Sequence, residues 1–140
     1  MTSPGKGICG VKIEQQQSAE YVRQGRRVLV VDDHASFRSC ASALLAAEGF
    51  EVVGEANDGA SAVTLASELA PEFVLLDIQL PDLDGFAVTE LLLAANPDLQ
   101  VVLVSSRDRS SYGPLIEGCG ARGFLAKSEL SGATIEGLLT

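Results

Sequence analysis

Asp32-Asp33 follow the apolar run Val28–Val31, Asp77 follows Phe73–Leu76, Ser105-Ser106 follow Gln100–Val104, and Lys127 follows Gly123–Ala126. If those runs are strands of one sheet, three carboxylates, two hydroxyls and an ammonium share one edge. Carboxylates brought that close raise one another's pKa unless a cation lies among them. A hard divalent ion such as Mg2+ suits oxygen ligands, keeps several of its waters and commonly bridges to a phosphate. The set therefore fits transfer of a phosphoryl group to Asp77 as nucleophile, with Asp32 and Asp33 holding the metal. Lys127 and a serine hydroxyl would neutralise charge on the equatorial oxygens. Taken singly, each feature also has a plain structural reading. Asp32-Asp33 can cap a following helix, and Lys127 can be a strand-end lysine with its head in water. Yet Lys127 is the only lysine after Lys12, and strand ends that all carry what one reaction needs outweigh each plain reading alone.

The elements that must position these residues follow from periodicity. The apolar runs Val28–Val31, Phe50–Val53, Phe73–Leu76, Gln100–Val104 and Gly123–Ala126 read as strands, three of them nearly all apolar, as expected for strands buried on both faces. Between them, helical spacing joins Phe37, Ala41, Leu44 and Leu45, then Ala62, Leu65, Ala66 and Leu69, then Tyr112, Leu115, Ile116 and Cys119. Asp84-Gly85 opens another helix through about Ala95, ended by Asn96-Pro97, and a last one runs from about Ser131 to Leu139. Alternating strands and helices joined by right-handed crossovers predict an α/β fold: a flavodoxin-like, doubly wound five-stranded parallel sheet in the order 2-1-3-4-5 with five helices. In such sheets the active crevice lies outside the carboxyl ends of the strands, where the candidate residues fall.

Length and composition bound the rest. At 140 residues and 46% hydrophobic the chain suits one domain, with 27–140 as the folded part and 1–26 as a flexible basic extension. Of the net charge of −9, residues 1–27 contribute +3, from Lys6, Lys12, Arg23, Arg26 and Arg27 against Glu14 and Glu20, leaving −12 for the remainder. So acidic a domain argues against nucleic-acid binding, which needs clustered cations. No long apolar window or signal peptide is present, so a soluble, cytoplasmic protein with no membrane contact is expected. Cys9, Cys40 and Cys119 are odd in number and widely spaced, which favours free thiols over disulfides or zinc.

The segments Val-Leu-Val-Val-Asp-Asp-His, Val-Leu-Leu-Asp-Ile-Gln-Leu-Pro-Asp-Leu-Asp-Gly, Val-Val-Leu-Val-Ser-Ser and Gly-Phe-Leu-Ala-Lys occur in an order and spacing that resembles a bacterial response-regulator receiver domain, from about Arg27 to Leu139. The resemblance implies a two-component signalling switch, not an enzyme, that takes its phosphoryl group from a histidine kinase or other phosphotransfer protein. It implies Asp77 as phosphoacceptor, Asp32 and Asp33 as the Mg2+ site with Gln79 contributing its backbone carbonyl, Ser105 and Lys127 as phosphoryl contacts, and Phe124 as the aromatic switch. The downstream partner is a protein that the sequence does not name, and a phosphorylation-linked homodimer is a further assembly of this kind. Three departures stand out: Ser128 where the family has proline after the lysine, Ser105 for the commoner threonine, and Phe124 for tyrosine.

Other residues have plainer readings. His34 is expected to be an exposed first-turn residue, Leu91-Leu92-Leu93 core, and Arg107-Asp108-Arg109 a solvated loop. Gly113, Pro114 and Gly118 predict a marginal fourth helix that, with the fifth strand and helix, forms the output face. Two rival functions remain open. One is a Mg2+-dependent phosphatase with an aspartyl nucleophile, which would need an acid two residues after Asp77, where Gln79 stands. The other is the receiver half of a truncated DNA-binding regulator, suggested by Asp-Asp-His-Ala-Ser-Phe-Arg.

Overall fold

Strict alternation along the apolar runs divides their side chains between two cores. Val28 and Val30, Phe73 and Leu75, and Val102 and Val104 point to one face, while Leu29 and Val31, Val74 and Leu76, and Val101 and Leu103 point to the other. The computed structural model describes residues 26–139, so the expected extension 1–26 lies outside the described residues apart from Arg26. The strands are β1 Arg27–Val31, β2 Glu51–Ala56, β3 Phe73–Asp77, β4 Gln100–Ser105 and β5 Gly123–Ala126. They form one parallel sheet in the order β2-β1-β3-β4-β5, as expected. The second strand runs through Ala56, three residues past the apolar run that announced it, because Gly54 and Glu55 still pair with Leu29 and Val30.

The helices are α1 Ala35–Ala47, α2 Gly59–Leu69, α3 Gly85–Ala95, α4 Leu115–Gly118 and α5 Gly132–Leu139. α1 and α5 cover one face through Ala41, Leu45, Ile135 and Leu139; α2 and α3 cover the other through Ala62, Val88 and Leu92. Aspartates start two of them: Asp58 accepts Ser61 N–H and Asp84 accepts Ala87 N–H, both at 2.8 Å. Glu48, at the end of α1, accepts Gly132 N–H at 2.7 Å and so seats the start of α5. Among the described residues no helix is long and apolar enough to cross a membrane.

Two expectations fail. The stripe Tyr112, Leu115, Ile116 and Cys119 is not one buried helix: a 3-10 turn over Arg109–Ser111 precedes a single α-turn, Tyr112 lies between them, and Leu115 is 57% exposed. Gly113 has φ +56 and Gly120 φ +93, left-handed conformations that stop a helix at both ends. The run Leu91-Leu92-Leu93 is not all core either. Leu92 is buried, but Leu91 is 49% exposed, because consecutive helical residues are turned about 100° apart and cannot all face the sheet.

Candidate functional site

The carboxyl edge of the sheet brings four of the expected residues, Asp32, Asp33, Asp77 and Lys127, into one crevice, with Ser105 on the same edge. Asp32 extends β1 by donating its N–H to Ala56 O at 3.1 Å, and Asp77 is the last residue of β3 beside Val104 of β4. Both side chains are buried, and Ser105 at the end of β4 is buried with them. Lys127 opens a 3-10 turn directly after β5, and its ammonium lies 2.7 Å from Asp32 Oδ2 and 3.7 Å from Asp77 Oδ2. Among the described residues Asp32 Oδ2 has no hydrogen-bond partner beyond this ion pair, which offsets its burial. Asp33 is exposed at the mouth. Its carboxylate oxygen, those of Asp32 and Asp77 and a ring nitrogen of His34 all lie within 4.8 Å of one another.

One ammonium among three carboxylates leaves the crevice negative. Burial pushes the Asp77 carboxyl from 3.8 up to about 6, the Asp32 charge adds to the rise and Asp33 adds a little more, while Lys127 and the Gln79 N–H oppose it. Gln79 N–H reaches Asp77 Oδ1 at 3.4 Å, and the Gln79 backbone pairs with Asp84 in an antiparallel bridge that folds the loop after β3 back on itself. His34 is exposed, as expected, but it is not idle: its N–H donates to Asp32 Oδ1 at 2.7 Å and its Nδ1 lies 3.1 Å from Asp33 Oδ1. No side chain caps α1, so the reading of Asp32-Asp33 as a helix cap does not hold.

Several supports escaped the sequence reading. Gly85 must lack a side chain, since a Cβ there would meet Asp77 O at 2.8 Å and Ile78 Cα at 2.7 Å; its N–H donates to Ile78 O at 2.7 Å, pressing the start of α3 onto the end of β3. Phe37 of α1 lies under the Lys127 ammonium, 4.4 Å from ring centre to nitrogen. Arg38 donates to Asp32 O at 2.7 Å and to Glu55 at 3.1 Å, tying the β1 end to β2. The Asp-Gly dipeptide was the visible signal for Gly85; Phe37 showed only its place in an apolar helical stripe, and Arg38 only its place in the Asp-Asp-His-Ala-Ser-Phe-Arg run.

The switch candidates lie on the far side of Asp77. Ser105 Oγ accepts Arg107 N–H at 3.0 Å and shares a 2.7 Å hydrogen bond with Tyr112 OH, while Ser106 is exposed. Phe124 is half-buried with its ring 6.0 Å from that of Tyr112. The turn after Lys127, where the family's proline is replaced by Ser128, is closed by Glu129, whose carboxylate accepts Ala126 N–H at 3.1 Å.

Known proteins are similar to this chain in sequence and fold. The response regulator receiver domain family matches residues 28–136. The response regulator GacA of Pseudomonas aeruginosa is 38% identical over 102 residues, which is 72% of this chain and 48% of GacA. The transcriptional regulatory protein DegU of Brevibacillus brevis is 36% identical over 111 residues, 79% of this chain and 47% of DegU. The chain thus spans about half the length of the curated relatives it matches. Among solved structures, a LuxR-family two-component response regulator from Aurantimonas superposes with TM-score 0.76 at 26% identity, over 83% of this chain and 86% of that one. CheY of Borrelia burgdorferi, solved with CheX, BeF3 and Mg, superposes with TM-score 0.70 at 25% identity, over 81% and 85%. Fold, crevice and sequence agree, and the chain belongs to the response regulator receiver domain family of two-component signalling.

Proposed function

We propose that the domain is a phosphorylation-dependent switch in which Asp77 takes a phosphoryl group from the phosphohistidine of a kinase or phosphotransfer protein. The observation that carries this reading is the meeting of buried Asp32 and Asp77 with the Lys127 ammonium at the carboxyl edge of the sheet. An Asp77 Oδ attacks phosphorus, the P–N bond of the donor breaks as the P–O bond forms, and the imidazole departs. With a pKa of about 6, Asp77 is mostly ionised at neutral pH and so available as nucleophile. Lys127 stands where it can offset charge on the transferred group, and Ser105 supplies a hydroxyl.

Asp32, Asp33 and Asp77, with the Gln79 carbonyl, would hold Mg2+. The donor set fits, because the converging carboxylates exceed the ammonium that faces them and offer hard oxygen, with the His34 ring nitrogen beside them at the exposed mouth. When bound, the ion supplies charge neutralisation for the incoming phosphoryl group. The expected output face is α4, β5 and α5, read by a protein partner in the cytoplasm. A transcriptional output is a second reading, favoured by relatives twice as long as the matched region, one of them called a transcriptional regulatory protein. Intact-mass spectrometry after incubation with acetyl phosphate and Mg2+ tests the main reading: a hydroxylamine-labile phosphoryl adduct is expected on the wild type and none on Asp77→Asn. An adduct of equal yield on the variant would refute Asp77 as acceptor. Turnover of a small phosphomonoester would instead favour a phosphatase.

A further inference from the structure

Tyr112 is the only tyrosine among the described residues, and its hydroxyl lies 2.7 Å from the Oγ of fully buried Ser105. Its ring is wedged between Phe86 of α3, 5.7 Å away and near perpendicular at 64°, and Phe124 of β5, 6.0 Å away. The chain around it is weakly built. A 3-10 turn precedes it, Gly113 at φ +56 follows it, and α4 is one turn long. Both partners of Ser105 Oγ, Tyr112 OH and Arg107 N–H, belong to the segment after β4, whereas Asp77 belongs to the neighbouring strand β3.

We propose that Tyr112 is a positioning residue, the resting-state latch of Ser105, and that phosphorylation of Asp77 exchanges the Ser105–Tyr112 hydrogen bond for a Ser105–phosphoryl one. The inference rests on the phosphoacceptor reading of Asp77. A phosphoryl oxygen only accepts, so Ser105 must give it its one proton and could keep Tyr112 only as a donor to Oγ, which requires Oγ to stay where it is. Moving Oγ toward Asp77 into another staggered well displaces it by about 2 Å, enough to break the 2.7 Å contact with Tyr112 OH. The phenol then loses its partner. Its ring is then free to leave the slot between Phe86 and Phe124, and the weakly built 106–114 segment and α4 can move with it. In this chain the aromatic residue with a hydroxyl thus comes from the segment after β4, and it packs on Phe124 of β5.

The chain has two tyrosines, Tyr21 and Tyr112, and no tryptophan, so Tyr21→Phe leaves Tyr112 as the sole strong intrinsic fluorophore. In that background, Ser105→Ala is expected to change Tyr112 emission without any ligand, and beryllofluoride with Mg2+ to change it when Ser105 is present but not in Ser105→Ala. Tyr112→Phe, which keeps the ring and removes the competing hydroxyl, is expected to tighten beryllofluoride binding about 5-fold, read by fluorine NMR. Unchanged Tyr112 emission at saturation, or equal or weaker binding by a folded Tyr112→Phe, would overturn the latch while leaving Asp77 as acceptor intact. If the wild type binds no beryllofluoride, the phosphoacceptor reading falls and the latch with it.

Discussion

Replacing Asp77 by Asn is expected to make the domain more stable, by an amount that depends on pH in a defined way. The carboxyl titrates at about 6 in the folded chain against 3.8 unfolded, because burial and the Asp32 charge disfavour its ionised form. For an acid whose pKa is raised by folding, stability is fully present below the unfolded value and is lost as pH rises through the folded one. The two values correspond to roughly 3 kcal/mol lost at pH 7.5, to about half of that at pH 5 and to little at pH 4. Asparagine keeps the size and an acceptor for Gln79 N–H but carries no charge, so it recovers that loss. Urea unfolding in a metal chelator, followed by circular dichroism, should raise the midpoint of Asp77→Asn by roughly 1–3 M at pH 7.5, given slopes of about 1–3 kcal/mol per molar. The advantage should shrink steadily toward pH 4. Mg2+ should narrow it at pH 7.5 by stabilising the wild type, which has one more carboxylate for the ion, more than the variant. An Asn variant no more stable than wild type at pH 7.5, or an advantage independent of pH, would refute the account of a destabilising buried carboxylate.

Lys127→Met removes the charge 2.7 Å from Asp32 and 3.7 Å from Asp77; the Asp77 pKa should climb above about 6 in a carbon-13 NMR titration, and stability at pH 7.5 should fall by about 3 kcal/mol. Gly85→Ala should cost about 2 kcal/mol or more in chemical denaturation and weaken phosphorylation, because its Cβ would press on backbone at Asp77 and Ile78. Gly54→Ala should cost less, since its nearest neighbour is the flexible end of Leu69. Phe73→Ala, at a fully buried ring packed edge-on against Phe50 at 5.7 Å, should cost about 4 kcal/mol in the same measurement.

The sequence by itself determined the sheet and the chemistry at its edge. Strands such as Val28–Val31 and Phe73–Leu76 are apolar on both faces, and their carboxyl ends must emerge together in a parallel sheet. Asp32, Asp77, Ser105 and Lys127 could therefore be placed in one crevice from the points where apolar runs stop. The helix start at Asp84 was equally local, a side chain reaching the N–H three residues on, whereas the same cap at Asp58 was not read from the sequence. Tertiary structure decided what depends on partners distant in the chain. Helical spacing joined Tyr112 to Leu115 and Ile116, but the positive φ of Gly113 and Gly120 broke that helix. The tyrosine came to rest on Phe86 and Phe124, with its hydroxyl on Ser105. Periodicity records which residues face inward, not which inward-facing groups meet, and a buried hydroxyl takes whichever partner packing brings within reach. The same holds for Phe37 under Lys127, 90 residues apart, and for Gly85 against the backbone of Asp77: side-chain type was visible in the sequence, and only the packed fold supplied the neighbour.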